Sequence, residues 1–480
     1  MKKRNIINVA LLAGTLMLSS CTDDMLNVES QPTVSQNQVE DLIANYPERS
    51  YSLLSGIENG NNRYMIDFGT LGNYHDDFGY KGYLLGLDFM SNDLSMTKSN
   101  WFSGYYGYGA RTENNYRTRG LWSFFYKSIF NVNKGLSFLS GTTNPTPEQN
   151  YIKARFLAMR ADAYFNLIRV YANGDIGVPY MTEDIKRNER VSTAEIKTKI
   201  EADLLNAYSL IQGYNRTSKE ILDKNVIAGL LARYYQEVGN WAKASEYAQI
   251  AYSGYAPMTG SQLNDGFNKI SNSEWMWGAD INTETSNYYA SFFSNMGNLN
   301  AGYAGLLQSY KTIDKRLFDK IPATDARKAW FVDTGNSYNL PKYANVKFVD
   351  DTDFEGDYVY MRAAEMYLID AEAKAHLNPA AGKAALDAFV QTRNPQFSAP
   401  SAQAALLDEI YFQRAIELWG EGGFAFFDMK RLGHPLQRQY AGSNHVVNQL
   451  NYPAGSSKFT FQIPIIEINN NEANISQNPN

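Results

Sequence analysis

Residues 224–257, KNVIAGLLARYYQEVGNWAKASEYAQIAYSGYAP, decide the fold. Leu231, Ala232 and Tyr235 sit where the first helix of a tetratricopeptide repeat needs them, and Gly239-Asn240-Trp241 makes the turn. Ala244, Ala248 and Ala251 line the second helix, and Pro257 stops it. Small residues four apart let two antiparallel helices approach, and large ones fill the seam between them. One such hairpin cannot cover its own apolar face, so other helices must stack on it. Tyr151 to Tyr171 and Ala194 to Ile211 read as one further pair. Met361 to His376 and Ala380 to Arg393 flank the breaker Asn378-Pro379 as another. Ala402 to Trp419 and Phe424 to Leu432, hinged at Gly420-Glu421-Gly422-Gly423, make the last.

Two stretches between these helices differ. Residues 59–120 and 255–349 are dense in Gly, Asn, Asp and aromatic residues and show no sustained 3.6-residue period. Trp275-Met276-Trp277 alternates like a short strand. Irregular segments of this length in a compact domain are usually functional. The expected fold is therefore all-α dominated: a tetratricopeptide-type scaffold over about 121–254 and 358–432, presenting the long loop-rich segments at about 59–120 and 255–349, with little β structure.

The chain has 480 residues, 44% of them hydrophobic and 20% charged, enough to bury a large core. Lys+Arg 44 against Asp+Glu 50 leaves a net charge of -6, which argues against nucleic acid as the main partner. Its one cysteine excludes a disulfide scaffold and multi-cysteine zinc sites. That residue, Cys21, follows a basic start (Lys2, Lys3, Arg4), an apolar run from Ile6 to Leu18, and Ser19-Ser20. The run is short for a membrane span and reads as a lipoprotein signal over residues 1–20, with Cys21 as the lipidated residue. Residues 21–38 follow as a flexible polar tether, and 39–480 as one domain. Asp23 and Asp24 resemble the acidic export signal of Bacteroidetes-type surface lipoproteins, so outer-membrane anchoring and cell-surface exposure are expected.

Several stretches resemble the SusD/RagB family of surface nutrient-binding lipoproteins. They run in order from ARFLAMRADAYFNLIRVY at 154–171 and Gly177-Val178-Pro179-Tyr180 through the repeat at 225–244 to Ser273-Glu274-Trp275-Met276-Trp277. Asp325-Ala326-Arg327, Pro341-Lys342-Tyr343, RAAEMYLIDAEA at 362–373, ELWGEGGFAFFDMKR at 417–431 and the tail Ile463 to Pro479 continue the series. The similarity spans essentially the whole chain. One departure is the absence, over Gly423 to Phe427, of an arginine that many relatives carry there. The resemblance implies a non-catalytic protein that captures oligosaccharides for a SusC-like TonB-dependent outer-membrane transporter; a minority of the family binds peptides. The repeat side is implied to be scaffold and transporter-facing.

Aromatic residues are 14% of the chain. Sugar rings stack their C–H faces on flat aromatic rings. Trp101, Tyr105, Tyr106 and Tyr108, spaced by Gly104 and Gly107, are the main binding candidates, with glycine freeing the backbone to present several rings. Tyr288 and Tyr289 are the second pair, Trp275 and Trp277 read as core, and Asp93, Asn100 and Arg111 could add polar contacts. Asp351 to Asp357 echoes half a calcium loop, but position twelve is Arg362, so an acidic turn is the better reading and no metal is expected. Four scattered histidines, no zinc helix, no nucleophile elbow and no P-loop give no catalytic signal, and no cofactor is implied. Glu417/Glu421 is a carboxylate pair one helical turn apart, which leaves a glycoside hydrolase as a rival alongside a pure protein-interaction scaffold.

Overall fold

The computed structural model describes residues 36–67, 69, 71–182 and 188–480. The signal stretch, Cys21 and nearly all of the tether lie outside them. Twelve longer helices carry the chain. They are α1 (Gln36–Asn45), α2 (Pro47–Tyr64), α3 (Gly79–Asp88), α4 (Tyr116–Leu139), α5 (Pro147–Tyr171) and α6 (Thr193–Leu210), followed by α7 (Lys224–Glu237), α8 (Trp241–Tyr252), α9 (Ala363–Leu377), α10 (Pro379–Val390), α11 (Gln403–Glu417) and α12 (Phe424–Arg431). β structure among the described residues is four two-stranded antiparallel ladders. The all-α, tetratricopeptide-type expectation holds.

Local chemistry places the helix ends. Thr146 and Gln149 form a reciprocal capping box on α5, with Pro147 in its first turn. The Asp223, Asn240 and Asn378 side chains accept backbone N–H bonds at the starts of α7, α8 and α10. The Gly420-to-Gly423 hinge turns on three left-handed glycines. Helix α8 packs directly on α9, although more than a hundred residues separate them in sequence. That separation is possible because strand β1 (Trp275–Ala279), entering the insert, pairs with strand β2 (Tyr358–Arg362), leaving it. Trp275 and Trp277 are buried in this ladder, as expected of core.

One part of the organisation corrects the sequence reading. Residues 59–120 are not irregular throughout: α2 runs on to Tyr64, and α3 is a full helix whose ten residues are all buried. A helix buried on every side has no polar face, so GYKGYLLGLD shows no 3.6-residue period. Lys81 in that helix donates to Val359 O at 2.9 Å and Glu421 O at 2.8 Å, and burial pushes its amine down to about 7.

At the centre lies a fully buried ion network. Arg362 reaches Glu274 (2.8 Å), Glu417 (2.7 Å) and Glu421 (2.7 Å). Arg393 reaches Glu274 and Glu417, both at 2.9 Å. Arg327 pairs with Asp325 (2.7 Å) and Glu417 (3.0 Å), and Lys347 with Glu421 (2.6 Å). Burial alone would raise the Glu417 carboxyl, but Arg393, Arg362 and Arg327 overrule it and hold it well below the usual range. The carboxylate pair that left room for a hydrolase is therefore committed to structure. A second set of ion pairs, Arg233–Glu365 and Arg431–Glu372, joins α9 to α7 and α12.

Removing one partner from such a network leaves uncompensated buried charge. Arg362→Met should destabilise the protein by about 3–5 kcal/mol in denaturant melts. Lys199→Ala, which breaks an exposed pair with Glu195, should cost under about 1 kcal/mol. Equal losses in the two variants would contradict this assignment.

Candidate functional site

The four-residue ring cluster does not form one surface. Tyr105, Tyr106 and Tyr108 are 1%, 0% and 4% exposed. Gly86 in α3 lets the Tyr105 ring lie against the helix, where an added Cβ would sit 2.6 Å from it. Tyr106 Oη meets His445 Nδ1 at 2.5 Å, and Arg438 lies 4.1 Å over its ring. Tyr108 donates to the Met90 carbonyl. These three rings pin a loop to the core and offer no face to a ligand, which corrects the expectation for them. The glycines of the stretch itself make room for other side chains: an added Cβ would meet the Arg117 guanidinium at Gly104 and Asn448 Nδ2 at Gly107. Arg111 is buried too and donates to Asn480 Oδ1 at 2.9 Å, fastening the C-terminal residues. Burial, followed by the charges of Asp314, Asp88 and Asp428, raises the Asp93 carboxyl to about 7, and this residue is not beside the rings described next.

Trp101 is partly exposed and begins a different row. Its ring stacks on His75 at 5.2 Å and 13° and meets Tyr303 edge-on at 6.2 Å. Tyr303 lies edge-on to His75 as well (5.6 Å), with 2.7 Å between Tyr303 Oη and His75 Nδ1. Tyr289 follows at 6.0 Å from Tyr303, and Phe354 at 5.6 Å from Tyr289. Tyr288 and Tyr289 are 57% and 48% exposed. The structure thus brings Trp101 and Tyr289 into one row and sets Tyr288 beside it. His75, Tyr303 and Phe354 were not singled out as binding residues in the sequence; His75 lies in the first irregular segment, Tyr303 in the second and Phe354 in the acidic turn after it, and only the fold makes them neighbours.

Of the eight non-glycine residues with positive φ among the described residues, Tyr288 and Phe354 stand at the row and Gln308 lies on the Tyr303 segment. Tyr288, Gln308 and Phe354 have φ of 47°, 54° and 66°. Such positions persist only where surrounding structure enforces them, and they cluster at functional sites. Here the enforcing bonds are Ser286 Oγ to Phe354 O (2.8 Å), Thr283 Oγ1 to Glu355 Oε1 (2.9 Å), and Lys98 Nζ to Gln308 Oε1 (3.1 Å). Asn100, next to Trp101, keeps a buried Nδ2 with no hydrogen-bond partner among the described residues.

The acidic turn holds no metal geometry. Asp357 accepts from Ile270 N (2.6 Å) and Ile281 N (2.8 Å), and Arg362 belongs to the buried network. Among the described residues no group of three metal-ligating side chains could hold an ion, and no helix is long and apolar enough to cross a membrane.

Residues 232–480, more than half of the chain, match a family profile described as the SusD family. Residues 83–236 match a second profile, described as starch-binding associating with outer membrane. A SusD-like carbohydrate binding protein of Bacteroides vulgatus superposes with a TM-score of 0.76 at 24% identity, covering 88% of this chain and 97% of that one. A SusD superfamily protein of Bacteroides thetaiotaomicron gives 0.75 at 21% identity, covering 90% and 100%. A laminarin binding SusD-like protein gives 0.65 at 21% identity, covering 88% and 98%. No curated protein sequence matches this chain significantly.

Burial lowers the His75 pKa below its ordinary 6.5, and neighbouring Asp76 only partly opposes this. The ring is therefore neutral at pH 7. An NMR titration of the intact protein should give a His75 midpoint below 6.5, moving up toward that value in Trp101→Ala, where the ring is more hydrated. A midpoint above 6.5 in the unaltered protein would rule out a desolvated ring.

Proposed function

The chain belongs to the SusD family, and from that premise we propose that it binds oligosaccharides at the Trp101–Tyr303–Tyr289 row and passes them to a partner transporter. The observation that carries the reading is the row itself: partly exposed rings from two distant segments, held by enforced backbone, with Asn100 and Lys98 beside them. Each sugar unit lays a C–H face on a ring and turns its hydroxyls to the flanking amide and ammonium groups. Stacking contributes about 0.5–1.5 kcal/mol per ring, so several weak contacts hold a chain that must leave again. A dissociation constant between about 1 µM and 1 mM suits capture followed by release. No bond is made or broken.

The anchor at Cys21, exposure on the cell surface and a SusC-like TonB-dependent transporter as receiver belong to the same proposal. They are supported by the outer-membrane association in the second profile's description and by the order of residues around Cys21. A peptide ligand is the second reading. It is favoured by Leu299, Leu306 and Leu307, exposed on the same segment as Tyr303, which would suit apolar side chains better than hydroxyls.

Titration with glycan and peptide panels separates the two. Glycan binding that weakens up to roughly tenfold in Trp101→Ala, and several-fold in Tyr289→Ala, with melting unchanged, is the expected result. Binding to peptides alone would end the glycan reading. Tyr106→Phe, which alters a buried ring, should leave ligand affinity as it is.

A further inference from the structure

Beside the ring row lies a hollow that the proposed function does not use. Asp76, next to His75, accepts from Tyr116 Oη at 3.0 Å and from Arg117 Nε at 2.5 Å, and Arg117 also donates to the Trp101 carbonyl. The Tyr116 ring carries the Arg117 guanidinium 4.3 Å over one face and the Tyr74 ring, 3.7 Å away and nearly parallel, over the other. Arg117, Tyr116 and Tyr74 thus form a three-layer stack, and the outer face of Tyr74 ends it. Among the described residues no other ring or cation covers that face.

Tyr74 and Tyr116 border a cavity of about 310 Å³ between the start of α4 and Pro464 to Ile466, where a short helix (Ile465–Asn470) begins. That lies near the lower end of the volumes that hold small ligands, about 300–1,000 Å³. Its polar lining is Glu113, Asn114, Asn115 and Arg119, and Asn115 Oδ1 is already taken by Arg117 N at the start of α4. Arg119 Nε is buried and has no hydrogen-bond partner among the described residues. Glu113 gives one carboxylate oxygen to Gln477 Nε2 at 2.9 Å. Asn114 is exposed.

The chemistry narrows the occupant. An anion would suit Arg119 but meet the Glu113 carboxylate; a cation would meet the guanidinium. A purely apolar group would leave the buried Nε still without a partner. A neutral ring with an apolar C–H face and adjacent hydroxyls suits all of it: the face lies on Tyr74, while a guanidinium edge, an amide and a carboxylate bond neighbouring hydroxyls. We propose that this hollow is a second sugar-binding subsite, taking one neutral hexose unit stacked on Tyr74 and bonded by Arg119, Glu113 and Asn114. The inference rests on the glycan reading above and extends it to a separate pocket.

Crystals of the protein soaked with the methyl β-glycosides of glucose, galactose and mannose test it directly. At least one ring over Tyr74 is expected, and it should vanish in Arg119→Gln crystals. An empty hollow in all three soaks overturns the subsite. In solution, Arg119→Gln should weaken binding of long members of a bound oligosaccharide series roughly tenfold and leave disaccharides unchanged. Unchanged affinity at every length, with Trp101→Ala still harmful, overturns the subsite and keeps the main row. Sensitivity to Arg119→Gln with indifference to Trp101→Ala overturns the row and keeps the subsite.

Discussion

The buried ion network around Arg362 and Glu417 is the constraint on which the rest depends. It joins Glu274 at the mouth of the insert, Asp325, Arg327 and Lys347 within it, Arg362 and Arg393 around the third hairpin, and Glu417 and Glu421 at the fourth. Ions this deep are expensive to desolvate, so an arrangement of these segments that leaves one of them without its partners carries a heavy cost. Charge is balanced as well, with four carboxylates facing three arginines and a lysine. The helix hairpins supply apolar area, while the network fixes where the irregular insert sits on them.

The family-like motifs gain a physical meaning from this. Ser273 to Trp277, Asp325 to Arg327, the start of RAAEMYLIDAEA and the start of ELWGEGG are far apart in sequence, yet each contributes a charged side chain to the same cluster. The resemblance rests largely on residues that hold the fold together. The ring row lies outside them, which is why a family could be named from these motifs while a ligand could not.

What was legible followed from periodicity and capping. The 224–257 repeat, the Asn378-Pro379 breaker and the glycine hinge at 420–423 all read correctly, because helix ends are local chemistry. Helix α3 was hidden, since full burial erases amphipathic contrast. At the site, sequence proximity misled. Tyr105, Tyr106 and Tyr108 sit beside Trp101 in the chain but turn inward, while His75 and Tyr303 come from afar. Composition cannot separate a ring that fills a core from one that faces solvent, because both uses need the same flat apolar surface.

The β1–β2 ladder has a consequence for how such proteins diversify. It holds the two ends of the insert side by side, with Ala279 opposite Tyr358. Closing the intervening loop therefore depends only weakly on its length, since loop-closure entropy grows with the logarithm of residue number. Sequence between the two strands can be exchanged, lengthened or trimmed while α8 still meets α9, provided Asp325, Arg327 and Lys347 keep their places in the buried network. Much of the insert can then change at little expense to folding, and Tyr288, Tyr289 and Tyr303 stand on that interchangeable part.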